Sequence, residues 1–108
     1  MEEVTLDAFQ KIDLRVARIL EVQDHPKADK LYILKVDLGD ETRQIVAGIK
    51  NHYKKEELIN KKIIIIANLK PAVLRGFESK GMLLAADDGS NVVIVTTDKD
   101  IGNGSKIR

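Results

Sequence analysis

Apolar and polar residues alternate from Ile12 to Val16, with Asp13 and Arg15 facing the other way, and this period predicts a half-buried strand. The alternation slips at Ala17-Arg18 and resumes at Ile19-Leu20-Glu21-Val22. An extra residue on one strand of a pair makes a bulge, so the slip predicts a long, curved first strand. A second strand covers residues 31–38, with Tyr32, Leu34, Val36 and Leu38 on one face and Leu31, Ile33 and Lys35 on the other. Gly39-Asp40-Glu41 predicts a hairpin turn into a returning strand over 43–47. Residues 62–69, centred on four consecutive isoleucines, and residues 81–87 are apolar on both faces. Asp88-Gly89-Ser90-Asn91 turns the chain into a last long strand over 92–97. Two short helices interrupt the strands. One covers 5–10, capped by Thr5, with Leu6 and Phe9 on one face; the other covers 51–59 and ends near Asn60.

Five or six strands, with a short helix between the third and fourth, predict an all-β fold. The order suits a small five-stranded barrel of the oligonucleotide-binding (OB) kind with short peripheral helices. At 108 residues the chain is one domain, 1–108. Strands apolar on both faces need a cover on the outside of so small a barrel, which suggests a homodimer.

Composition narrows the classes. The chain is 44% hydrophobic and 32% charged, the balance of a globular protein and not of a disordered one. There is no cysteine, which excludes a disulfide framework and a thiolate metal site and suits the reducing cytoplasm. No apolar run is long enough to cross a bilayer, and the acidic start does not read as an export signal. The leaning towards Ile, Lys and Glu is that of heat-adapted proteins.

Net charge is only +1, but it is unevenly spread. Residues 1–29 carry four bases against seven acids, whereas residues 50–80 carry eight bases against three acids. A near-neutral chain can thus present a local positive field to a polyanion. That segment ends in a polar, basic loop between two apolar strands: Asn68-Leu69-Lys70-Pro71, then Arg75-Gly76-Phe77, then Ser79-Lys80-Gly81-Met82. It offers donors, cations and a thioether, but no group fit for catalysis. Lys70, extended by the proline after it, can meet a phosphate as a point charge. Arg75 can fork onto a phosphate or lie on a base, or else pair with Glu78. Asn68 either orients a ligand or caps its own loop.

Only two Phe and two Tyr are present, and Phe9 is expected in the core. That is a poor platform for stacking successive bases, and it favours recognition of folded RNA by backbone and shape. His25 and His52 have no third residue at metal-ligand spacing, so loop or surface roles are expected and no metal or cofactor is inferred. Asp87-Asp88-Gly89 lacks the spacing of a calcium loop, and Gly102-Asn103-Gly104-Ser105 is not followed as a phosphate loop would be. No nucleophile–base or paired-carboxylate arrangement stands out, so no catalytic residue is assigned.

Five short motifs occur in order: Asp13-Leu14-Arg15-Val16; His25-Pro26-Lys27-Ala28-Asp29-Lys30-Leu31; Val36-Asp37-Leu38-Gly39 with Ile45-Val46-Ala47-Gly48-Ile49; Asn68-Leu69-Lys70-Pro71; and Ser79-Lys80-Gly81-Met82. Together they resemble the tRNA-binding domain found at the C-terminus, or as the beta subunit, of methionyl-tRNA synthetases. The same domain occurs in free-standing tRNA-binding proteins and in the endothelial-monocyte-activating polypeptide group, and CsaA-type export chaperones share its scaffold. Ala17 and Ala47 depart from the glycine and serine that many relatives have there. The resemblance implies an OB barrel that grips tRNA by shape with little sequence preference. It also implies a homodimer and an accessory role beside a catalytic region that lies elsewhere. The residues it implicates are Lys30, Lys35, Asn68, Lys70, Arg75, Ser79 and Met82. Arg15, Lys27 and Lys80 form an outer set, with Arg15 equally able to serve as a structural partner of Asp13 or Asp37. Met82 can lie under a base or simply pack in the core. The alternatives are a CsaA-like peptide-binding chaperone and a module that tethers synthetases.

Overall fold

The computed structural model describes all residues, Met1–Arg108, and its spine is one long strand shared between two partners. The first half of β1 (Leu14–Asp24) pairs antiparallel with β4 (Lys62–Ile66), from Leu14 opposite Ile66 to Arg18 opposite Lys62. Its second half pairs antiparallel with β2 (Tyr32–Asp37), and the register shifts between Ile19 and Glu21. The expected bulge is therefore real and lies at Leu20, just beyond the slip in the alternation. It lets a single strand bend from one partner to the next. β3 (Thr42–Ala47) pairs with β2, and β7 (Met82–Leu83) pairs with β4, giving the sheet order β3-β2-β1-β4-β7. This curled antiparallel sheet is a half-barrel of the OB kind, mostly strand.

The alternation read from the sequence decides what the barrel holds. Ala17 and Ile19 of β1, Leu34 and Val36 of β2, Ile45 of β3, and Ile63 and Ile65 of β4 are all 0% exposed. Each fully buried large apolar side chain contributes about 1.5–3 kcal/mol. Leu58 closes one end from α2 (Lys55–Leu58). Val16 and Ile64, paired on the opposite face, are 1% and 4% exposed. The chain thus buries both faces of β4 by itself, and the need to cover that strand does not argue for a dimer. The tail hydrogen-bonds along β1 on the side away from β4: Val16 N–H donates to Ser105 O at 2.9 Å, and Gly104 N–H to Val16 O at 2.7 Å.

Five expectations are corrected. The loop over 68–82 is a hairpin, β5 (Ala72–Leu74) and β6 (Phe77–Ser79), whose strands are too short for alternation to register. The strand over 81–87 divides at Leu84 into β7 and β8 (Ala85–Asp87), because β8 leaves β4 to pair with β9. β9 (Val92–Ile94) is much shorter than 92–97, and α2 is only the last part of 51–59, ended by Asn60 at φ 68°. Finally α1 (Leu6–Gln10) is capped as expected, Thr5 Oγ1 accepting from Ala8 N–H at 3.1 Å, but it buries nothing. Leu6 is 68% and Phe9 41% exposed, so Phe9 is not core. No helix is long and apolar enough to cross a membrane.

Candidate nucleic-acid interface

The β5–β6 hairpin lies along β3. Lys80 N–H donates to Gln44 O at 2.9 Å, Gln44 Nε2 donates to Glu78 O at 2.9 Å, and Val46 N–H donates to Ser79 Oγ at 3.0 Å. The hairpin base, with Lys70, Pro71 and Lys80, borders a hollow of about 450 Å³ beside Arg43 near the start of β3. The tip, Arg75-Gly76, lies towards the other end of β3. There Leu74 O meets the His25 ring, His25 N–H donates to Leu31 O, and Lys50 N–H donates to Lys30 O. Lys35, on the outer face of β2, stands between Glu21 of β1 and Gln44 of β3 and lines a groove of about 280 Å³.

Ion pairing separates the candidate cations into two groups. Arg15 is held by Asp13 at 2.8 Å, and Lys80 lies 3.7 Å from Glu78. Arg43 is 2.5 Å from Glu41 and also donates to Ala67 O. Lys50 and Lys55 share Asp24 at 3.1 and 2.9 Å. The carboxyls answer electrostatically. Hydrogen bonds from Lys55 and Lys50 hold Asp24 below the usual carboxylate range, and those from Arg43 and Arg15 do the same for Glu41 and Asp13. By contrast, Lys27, Lys30, Lys35, Lys70 and Arg75 are exposed and have no carboxylate partner. Arg75 does not pair with Glu78, which turns to Lys80 instead.

Three expected ligand residues have structural occupations. Ser79 is 2% exposed, and its hydroxyl accepts from Val46 N–H and donates to Gly81 O at 2.8 Å, so its one proton is committed and the oxygen is shielded from the surface. The Asn68 side chain accepts from Asp13 N–H at 2.8 Å and donates to Lys11 O at 2.6 Å, tying the hairpin base to the start of β1. Met82 is half-buried on β7 opposite Ile66. The residue that sequence reasoning missed is His25. It lies in the loop after β1, in keeping with the loop role expected, but it is 4% exposed and bonded to both its own turn and the hairpin.

Residues 14–106 match the family model described as "Putative tRNA binding domain". The chain belongs to the tRNA-binding domain family. It is 61% identical over its full length to the methionine–tRNA ligase of Pyrococcus horikoshii, and 57% identical over 109 aligned residues to that of Methanocaldococcus jannaschii. It spans only 15% and 17% of the lengths of those two proteins. Among solved structures it resembles the MetRS-related protein from Pyrococcus horikoshii, with a TM-score of 0.94 at 34% identity over 100% of both chains. It also resembles the CsaA chaperone protein from Picrophilus torridus, with a TM-score of 0.91 at 41% identity over 98% of this chain and 100% of that one. In this tRNA-binding domain, the hairpin along β3 and the turn before β2 carry unpaired cations beside the sheet. Such a surface can hold a chain of phosphates.

Proposed function

We propose that this chain is the tRNA-binding accessory region of a methionine–tRNA ligase, working in the cytoplasm and raising the affinity of a catalytic region for tRNA. The observation that supports it most is the set of exposed cations without carboxylate partners on the hairpin, on the turn bonded to its tip and on the sheet beside it, in a nearly neutral domain. Lys27, Lys30 and Arg75 sit at one end, Lys70 at the other, and Lys35 on the sheet between. They capture the phosphate backbone, and the fixed hairpin supplies the shape. The rings support the same mechanism. Tyr32 is buried and donates to Tyr53 O at 2.7 Å, while Phe77 packs on His25. Tyr32 is not free to stack on a base, and one half-buried ring at Phe77 is no platform for successive bases, so phosphate and shape carry recognition. Gel shifts at rising salt test this: five phosphate contacts give log–log salt dependence with a slope of about −4. An affinity that stayed flat with salt would overturn the reading.

A second copy of the chain is the proposed partner at the surface formed by α1 and the tail. Leu6, Phe9 and Ile12 are exposed beside Ile107 around a hollow of about 560 Å³. Acids Glu2, Glu3 and Asp7 lie on the α1 side and bases Lys106 and Arg108 on the tail, so a two-fold contact is charge-complementary. Light scattering should give a dimer mass that Phe9→Glu halves; a monomeric wild type at tens of micromolar would refute it.

The 41% identity to the CsaA chaperone protein supports a second reading, in which that same apolar face takes unfolded chains. Binding to denatured protein that tRNA does not displace, without salt-sensitive tRNA binding, would favour it.

A further inference from the structure

His25 is a buried polar side chain that phosphate capture leaves unused, although it belongs to a polar turn. Both ring nitrogens are committed. Nδ1 accepts from Lys27 N–H at 3.0 Å, within its own turn. Nε2 is 2.9 Å from Leu74 O. Because Nδ1 accepts, the ring proton is on Nε2, which donates to Leu74. The ring also meets Phe77 edge-on, with centroids 4.9 Å apart and planes at 69°. Leu74 and Phe77 are paired across β5 and β6, immediately on either side of Arg75-Gly76. One imidazole therefore joins the 25–30 turn to both legs of the hairpin, directly below its tip.

The bond to Lys27 alone does not require a histidine, since asparagine makes the same local turn. What the imidazole adds is reach across to β5. A hairpin with three-residue strands is marginal by itself. Left free, its tip would have to be ordered by the ligand at a loss of affinity.

We infer that His25 is a positioning residue for ligand binding: it latches the hairpin tip to the 25–30 turn, so that Arg75, Lys27 and Lys30 meet the phosphate chain as one preassembled group. The consequence for affinity rests on the tRNA-binding reading; the latch itself rests on the contacts alone.

Two variants separate the two bonds. His25→Asn keeps an acceptor for Lys27 N–H but cannot reach Leu74. His25→Gln reaches further and can donate to Leu74 O. The measurements are affinity for bulk tRNA in both variants, in Arg75→Ala and in the His25→Asn/Arg75→Ala double variant. They are joined by backbone relaxation at Arg75 and Gly76 in the free protein. His25→Asn should bind about tenfold more weakly and loosen residues 75–76. His25→Gln should recover most of that loss, and Arg75→Ala should cost less in the His25→Asn background than in wild type. Unchanged order and affinity in His25→Asn would overturn the latch, as would additive losses with no recovery in His25→Gln. If His25→Asn loosens residues 75–76 but wild type does not bind tRNA, the latch stands and the tRNA-binding reading falls. Should His25→Asn fail to fold, Phe77→Leu takes its place. It keeps both hydrogen bonds and removes the ring contact, and it must show a smaller loss in the same direction or the latch is rejected.

Discussion

Arg75 and Gly76 hold the two central positions of the β5–β6 turn, with φ of 53° and 91°. Two residues in the left-handed region make a type I′ connection, whose twist matches the strands it joins. Glycine adopts that region freely. Arginine does not: the left-handed conformation costs about 1 kcal/mol, and asparagine is the residue usually found first in such turns. The tip of the hairpin thus carries a strained arginine with no ion-pair partner. A ligand contact made by the guanidinium explains both features.

Arg75→Asn should therefore stabilise the fold by about 0.5–1 kcal/mol while weakening tRNA binding. The log–log salt slope should become shallower by about one. Thermal unfolding and a salt series on the same sample check both halves. A variant that was less stable than wild type and bound equally well would refute the assignment.

Lys35→Ala and Lys70→Ala should each weaken binding about three- to tenfold, the order of a single charge-assisted contact, and to the same extent for every tRNA tried. Arg15→Ala and Lys80→Ala should have smaller effects, because their charges are already balanced by Asp13 and Glu78. Filter binding with several purified tRNAs makes the comparison. Discrimination among tRNAs by Lys70→Ala would indicate base readout instead.

Ser79→Ala should act on stability. The hydroxyl is buried and serves both Val46 N–H and Gly81 O. Its loss leaves both groups of the β3–β6 junction unsatisfied, at about 2–3 kcal/mol. Denaturant unfolding should show that loss, and tRNA affinity measured well below the transition should change much less. A large loss of affinity without loss of stability would return Ser79 to the ligand site.

The Asp24 cluster sets a pH dependence of stability. Hydrogen bonds from Lys55 and Lys50 lower Asp24 from its ordinary 3.8, and the Asp24 bond raises Lys55 from its ordinary 10.5. A depressed carboxyl stabilises the fold above its unfolded value, so this contribution is intact above about pH 5 and fades as pH falls through and below 3.8. A raised lysine does the reverse, stabilising fully below 10.5 and losing effect as pH rises past it. The groups are exposed, so the effect is small and screened by salt. Asp24→Asn should flatten the acid limb of the stability curve at low ionic strength; an unaltered acid limb would exclude this pair as its source.

The barrel is legible in the sequence because β1 and β2 are long and have one face on the core, so their alternation survives. The hairpin is not, because three residues carry no period, and its one clear cue is Arg75-Gly76. The site divides for the same reason. Lys30, Lys35, Lys70 and Arg75 are recognisable as cations in a basic stretch. Which cations remain unpaired depends on contacts such as Lys55 with Asp24, 31 residues apart. Ser79 in a polar segment looks like a ligand group until Val46, 33 residues earlier, claims its hydroxyl. His25 is a loop residue, as it looks, but the hairpin covers it, with Leu74 O, 49 residues later, at its ring. In each case the deciding partner is brought in by tertiary folding, which local pattern does not encode.

The tail supplies the last prediction. A Cβ built on Gly104 would stand 2.2 Å from Leu38 O, and the residue has φ 86°, so a side chain there meets both a backbone clash and an unfavourable conformation. Gly104 N–H is also the donor to Val16 O, on the strand whose outer face carries Val16 beside Ile64. Gly104→Ala therefore cannot be absorbed by a side-chain shift: either the turn at Leu38 moves or the tail leaves β1. It should cost about 3 kcal/mol or more, the sum of backbone strain and a lost buried hydrogen bond. Amide exchange should quicken first at Val16 and Ile107, whose N–H groups bond across the tail junction at 2.9 Å each. Exchange should remain slow at Ile63 and Ile65 in the barrel interior until global unfolding. Loss of protection in the interior at the same rate would mean that the tail is part of the cooperative core and not a strap laid over it.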